Sequence, residues 1–126
     1  MKKCVWVLAV IMVASVLAFS MAKAESKKRY DASTKTCRKL DPDDELRGYK
    51  LFKEFCKECH NRNNSQAKFL YNESNTPKAW DRVFFEKYPK CAKDGSWRNL
   101  SLNDQLLLND YLYNTGADTS TPNGCG

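Results

Sequence analysis

The sequence predicts an all-α domain of three or four helices, and three observations carry that prediction. Helix-start signals recur at Asp41-Pro42, Thr76-Pro77 and Ser101, each pairing an N-cap residue with a helix-compatible first turn. Apolar residues follow each signal at helical spacing. No run of alternating β-branched residues, the mark of a half-buried strand, occurs anywhere in the chain. At 126 residues there is room for one domain. With 42% hydrophobic and 29% charged residues, the composition is that of an ordinary globular protein rather than a disordered one.

The first 24 residues read as a cleaved signal peptide. Lys2 and Lys3 supply a positive start, residues 4–19 an apolar stretch, and Ala22-Lys23-Ala24 a small-x-small cleavage site before Glu25. The alternative is a retained membrane anchor through residues 4–22, which are uncharged and close to the ~20 needed to span a bilayer. Either way the rest of the chain is expected outside the cytoplasm, in the periplasm, where cysteines can pair. Lys2, Lys3 and Lys23 go with the segment, leaving 18 bases against 15 acids. A net +3 excludes the strongly basic footprint of a dedicated nucleic-acid binder.

Residues 25–40 are polar and rich in Lys, Ser and Thr, and are expected to form an extended arm, tethered if Cys37 is bonded. The domain proper is expected at 41–126. Its first helix starts at Asp41-Pro42, presents Leu46, Tyr49, Phe52 and Phe55 at three-residue steps with Leu51 beside them, and runs into Cys56. A polar loop at 61–65 and the cluster Phe69, Leu70, Tyr71 come next. The helix after Thr76-Pro77 carries Trp80, Val83, Phe84 and Tyr88 and is expected to stop at Pro89. Ser101 caps a last helix from 102 to about 114, with Leu108, Tyr111 and Leu112 as its apolar stripe and Gly116 as its stop.

Cys56-Lys57-Glu58-Cys59-His60 is a C-x-x-C-H motif. On a helix, residues three apart point the same way, so two thiols can bond one haem while the adjoining His ligates its iron. A bare C-x-x-C also serves thiol redox sites and half of a zinc site. Haem c is favoured because His60 is the chain's single histidine, no second C-x-x-C completes a zinc quartet, and export delivers the chain to the compartment where c-type haem is attached. Cys56 and Cys59 are thus expected as haem thioethers and His60 as the proximal iron ligand.

Over about residues 41–115 the chain resembles a class I, monohaem c-type cytochrome. The resemblance rests on the helix containing Gly48 and Tyr49 ahead of C-x-x-C-H, and on the closing helix through Asp110-Tyr111-Leu112. It implies a cytochrome c-like fold in which these helices cross, with Gly48 against Tyr111. It also implies a distal Met, and here the chain departs: Met1, Met12 and Met21 all precede Ala24. Nor does a proline follow His60 closely to supply the family's usual carbonyl partner for the ring N–H. Cys91 stands where that Met would stand, and Lys90 and Lys93 are expected to favour its thiolate. If Cys91 binds iron, Cys37 and Cys125 remain to form a disulfide. The alternatives are that Cys91 itself pairs with Cys37 or Cys125, or is free.

Arg82, Trp97 and Arg98 are candidates to hold haem propionates, with surface roles as their alternative. Trp80, Phe84 and Phe85 are expected in the pocket wall and core, and Lys53, Lys57 and Lys90 as a mild attraction for an acidic redox partner. The leading expectation is electron transport: a non-enzymatic carrier passing single electrons to or from a redox partner protein, or a subunit of a respiratory complex. Two others follow from the distal side. A His/Cys-ligated haem suits sulfur-compound oxidation, and an open iron suits gas binding.

Overall fold

Three helices and one two-stranded hairpin make up the described residues, 27–119 and 125, of a computed structural model. The expected signal segment lies outside them. The hairpin pairs β1 (Lys28–Asp31) antiparallel with β2 (Thr36–Lys39), with Arg29 opposite Arg38 and Tyr30 opposite Cys37. Then come α1 (Pro42–Leu51), which widens into a π-helical turn over Phe52–Cys56, α2 (Pro77–Glu86) and α3 (Leu102–Thr115). Short 3₁₀ turns lie at Asn72–Ser74 and Lys90–Ala92. No helix among the described residues is long and apolar enough to cross a membrane.

Each helix starts where its cap chemistry directs. The Asp41 carboxylate accepts from the Asp43 N–H (2.9 Å), Thr76 Oγ1 from Ala79 N–H (3.3 Å) and Ser101 Oγ from Asp104 N–H (3.1 Å). The core is α3: Leu108, Tyr111 and Leu112 pack with Phe52, Trp80, Val83, Phe84 and Leu100. α1 lies against α3 at Gly48, where an added Cβ would come within 2.4 Å of Leu107 O and 2.5 Å of Tyr111 Cβ. The Gly48–Tyr111 contact is therefore real, and it exists because glycine brings no side chain.

Three expectations need correction. The fold is mostly helical rather than all-α, because the arm at 25–40 contains the hairpin. Both strands are only four residues long; β1 alternates burial, but its buried alternates are Arg29 and Asp31, and β2 has no buried residue. A hydrophobic pattern could not reveal strands whose inward side chains are charged. On α1, Leu46 is 54% exposed and Tyr49 is exposed, whereas Phe52 is buried. Three-residue steps lose about 60° per step against a 3.6-residue turn, so Leu46 and Phe55 stand on opposite sides. α2 ends before Pro89, because Lys87 turns left-handed at φ 48°. The last helix does end at Thr115 with Gly116 just beyond it, as expected, and that glycine is close-packed: a Cβ there would meet Asn75 O and Leu112 O at 2.9 Å each.

Two devices fix the hairpin. Arg29, wholly buried, donates from Nε to Asp110 (2.7 Å), from Nη2 to Asp31 (2.5 Å) and from Nη1 to Asp81 (3.2 Å). Arg38 bonds Asp110 Oδ2 through Nε (3.0 Å) and Nη2 (2.6 Å). Burial works against the Asp31 charge, but Ser33, Arg29 and Thr34 outweigh it and hold its carboxyl below the usual range. The second device is the Cys37–Cys125 disulfide, which joins β2 to the C-terminal region across 88 residues.

Candidate functional site

The π-helical turn is where α1 delivers its chemistry. The Lys57 N–H reaches back to Phe52 O (3.0 Å), a widened turn that inserts one extra residue before the motif. Cys56 ends it half-buried against the core, and Cys59 is exposed; both are free thiols. Burial, then the neighbouring Cys91 and Cys59 sulfurs, push the Cys56 thiol up to about 12. The loop beyond is braced on the motif: Asn64 Nδ2 donates to Cys59 O (2.8 Å) and Asn61 Nδ2 to Glu58 O (2.6 Å).

His60 is oriented by its own chain. Its Nδ1 lies 2.6 Å from Lys68 O. A carbonyl only accepts, so Nδ1 carries the proton and the lone pair is on Nε2, free for a metal. The missing proline is thus no obstacle, because any backbone carbonyl brought round by the loop serves. Leu70 N–H donates to His60 O (3.3 Å), and Lys57 Nζ donates to Leu70 O (2.8 Å) while sitting 3.7 Å above the Phe69 ring. Lys57 is therefore committed to the loop rather than offered to a partner.

Cys91 sits on the 3₁₀ turn Lys90–Ala92, half-buried and unpaired, close enough to Cys56 for their charges to interact. The disulfide between Cys37 and Cys125 takes the partners Cys91 would otherwise have had. The expectation that Lys90 and Lys93 favour its thiolate is corrected: burial, then Asp94, push the Cys91 thiol up, against the backbone N–H groups of Cys91 and Ala92 and the Trp97 indole. The Lys90 charge acts on Asp94 instead, and there it ranks behind the Ser96 hydrogen bonds.

Among the described residues no three His, Cys, Asp or Glu side chains are placed to hold a metal ion. Cys56, Cys59 and His60 follow one another at the end of α1, and two thiols with an adjoining imidazole at this spacing are the donors that a covalently attached haem takes. The half-buried Phe55, Leu70 and Trp97 add apolar surface. This donor set fits a haem.

Of the other candidates, Arg82 is paired with Glu86 (2.9 Å) on the surface, and Trp97 is half-buried and stacked on Phe84. Trp80 and Phe84 are core, with the Trp80 indole donating to Asn72 O (2.6 Å). Phe85 is exposed, beside a cleft of about 280 Å³ whose lining includes Ser33, Lys87, Leu102 and Asn109 but none of the motif residues. Arg98 is exposed, as are Lys53 and Lys90. Lys53 lies 5.6 Å from the Tyr49 ring.

Comparison with family models, curated proteins and solved structures finds no match to this chain. What the residues themselves define is a small, mostly helical domain with a hairpin, carrying C-x-x-C-H at the end of its first helix.

Proposed function

We propose that the protein is an exported monohaem c-type cytochrome that passes single electrons to or from a redox partner protein. The observation that carries this reading is the His60 ring, held through Nδ1 by Lys68 O with Nε2 left free, directly after two unpaired thiols. Haem, when bound, supplies a one-electron iron couple. Cys56 and Cys59 would bond it covalently, His60 would ligate its iron, and the half-buried Phe55, Leu70 and Trp97 would keep water from it. The Gly48–Tyr111 packing of α1 on α3 supports the cytochrome c-like reading of the fold.

A second reading has its own observation. With Cys37 bound to Cys125, the Cys91 thiol is free to ligate on the distal side, and His/Cys ligation suits a subunit of a sulfur-compound oxidising enzyme. The gas-binding reading drew its support from a Cys91 consumed in a disulfide, which the pairing removes.

The two readings separate in one experiment. The reduced protein is mixed with a physiological redox partner, and separately the ferric protein with thiosulfate. A carrier is reoxidised by the partner one electron per chain with no small molecule consumed, and thiosulfate leaves it ferric. Thiosulfate-dependent reduction of the protein, lost in Cys91→Ala, favours the enzyme.

A further inference from the structure

We infer that Lys57, the second residue of the C-x-x-C-H motif, is a positioning residue for His60: by pinning the segment 68–70 it holds the Lys68 carbonyl on Nδ1 and so keeps Nε2 the unprotonated nitrogen. The inference rests on the reading that Cys56, Cys59 and His60 hold a haem.

The geometry is a double clamp on one residue, Leu70. Its N–H donates to His60 O (3.3 Å), and its carbonyl accepts from Lys57 Nζ (2.8 Å). Both bonds tie the returning segment to the motif, and two residues earlier in that segment Lys68 O meets His60 Nδ1 at 2.6 Å. The Lys57 ammonium is itself held. It lies 3.7 Å from the centre of the Phe69 ring and 5.4 Å from that of Tyr71, and these two rings pack edge to face at 4.5 Å. A cation over an aromatic face is attracted to it, more so where water is partly excluded, and Lys57 is half-buried. Arg62 closes the same loop from its other end, with Nη2 donating to the Tyr71 hydroxyl (3.0 Å) and its guanidinium 5.4 Å from the Phe69 ring. Without the ammonium, the Leu70 carbonyl loses its donor and the segment is free to carry Lys68 O away from the imidazole. A ring released from that carbonyl can hold its proton on either nitrogen, and a proton on Nε2 blocks ligation there. The bond at Nδ1 also strengthens electron donation from Nε2 to a metal, which favours oxidised iron.

The test uses the full haem-loaded chain carrying Lys57→Met, Lys57→Arg, Phe69→Leu or, as a charge control, Lys78→Met on α2. His60 is the chain's single histidine, so its Nδ1 proton is identified without ambiguity in proton–nitrogen correlation spectra of the ferrous protein. Lys57→Met keeps most of the side-chain stem and removes the charge. It is expected to speed exchange of the Nδ1 proton about tenfold, as loss of a charged hydrogen bond should, and to shift the midpoint potential so that the ferrous state is favoured. The Trp80 indole proton, bonded to Asn72 O, is expected to exchange as in the parent. Lys57→Arg supplies another cation that donates to carbonyls and lies over aromatic rings, and is expected to restore both readouts. Lys78→Met is expected to change neither. Should Lys57→Met match the parent at His60, or speed the His60 and Trp80 protons alike, Lys57 contributes only general stability and the inference falls. Where Lys57→Met fails to accumulate, Phe69→Leu decides: faster Nδ1 exchange upholds the clamp, and the parental rate overturns it. Absence of covalent haem in the alkaline pyridine spectrum of the parent overturns the underlying reading itself, a separate and recognisable outcome.

Discussion

The two sides of α3 are held by different forces. Toward α1 and α2 it presents Leu108, Tyr111 and Leu112, which meet Phe52, Trp80, Val83 and Phe84 in apolar contact. Its other side presents Asn109 and Asp110, which are as deeply buried but meet Asp81 of α2 and Arg29 and Arg38 of the hairpin. The apolar side gains from every buried methylene, so its stability is spread over many contacts. The charged side concentrates three carboxylates and two guanidiniums into a few bonds. Removing those charges from water is costly, and the bonds must be complete to offset it. One side should therefore yield gradually to mutation and the other abruptly.

The sharpest way to break this contrast is Asp110→Ala. It leaves Arg29 and Arg38 without their shared acceptor, one of them fully buried, and is expected to cost about 3–5 kcal/mol; urea unfolding at constant m-value reads it. A loss under about 1 kcal/mol would mean that water already reaches the cluster. Next is the double substitution Cys37→Ser, Cys125→Ser, which frees a loop of nearly 90 residues. The chain-entropy account puts its cost at about 4.6 kcal/mol, within a broad range. On the proposed reading it should leave the haem spectrum unchanged, since neither sulfur belongs to the candidate site. On the apolar side, Gly48→Ala forces α1 away from Leu107 O and Tyr111 Cβ, with an expected loss of about 1–3 kcal/mol.

The smallest effect is in pH. The Asp31 carboxyl is held below its ordinary value, so the folded state binds its proton less readily than the unfolded chain does. Its stabilisation is present above the ordinary carboxylate pKa and fades as pH falls through the lowered one. Urea midpoints of the parent should drop on acidification below about pH 4, and Asp31→Asn should be less stable near neutrality but show a shallower drop. Equal acid slopes in the two proteins would remove Asp31 from the account.

What was legible in the sequence follows the same division. The caps at Asp41, Thr76 and Ser101 act over three residues, and the structure starts its helices there. The stripe of α3 repeats at helical spacing and is buried where expected. The hairpin was hidden because Arg29 finds Asp110 81 residues away, and no local pattern announces a pair so distant. The π-helical turn before Cys56 leaves no mark in composition. Within the candidate site the C-x-x-C-H motif was plain, but the carbonyl that orients His60 was not: Lys68 is chosen by the path of the loop, not by its side chain. Trp97, a propionate candidate by its donor chemistry, lies half-buried and stacked on Phe84, a contact that no local pattern announces.

The central claim is that Cys56 and Cys59 carry a covalently attached haem. Its most direct test is the mass and alkaline pyridine spectrum of the exported protein after acid–acetone extraction, which strips haem that is not covalently bound. The account predicts that the polypeptide retains the mass of one haem and the spectrum of a group bonded through two thioethers, and that Cys56→Ser with Cys59→Ser loses both. A polypeptide of unmodified mass, colourless after extraction, would contradict it.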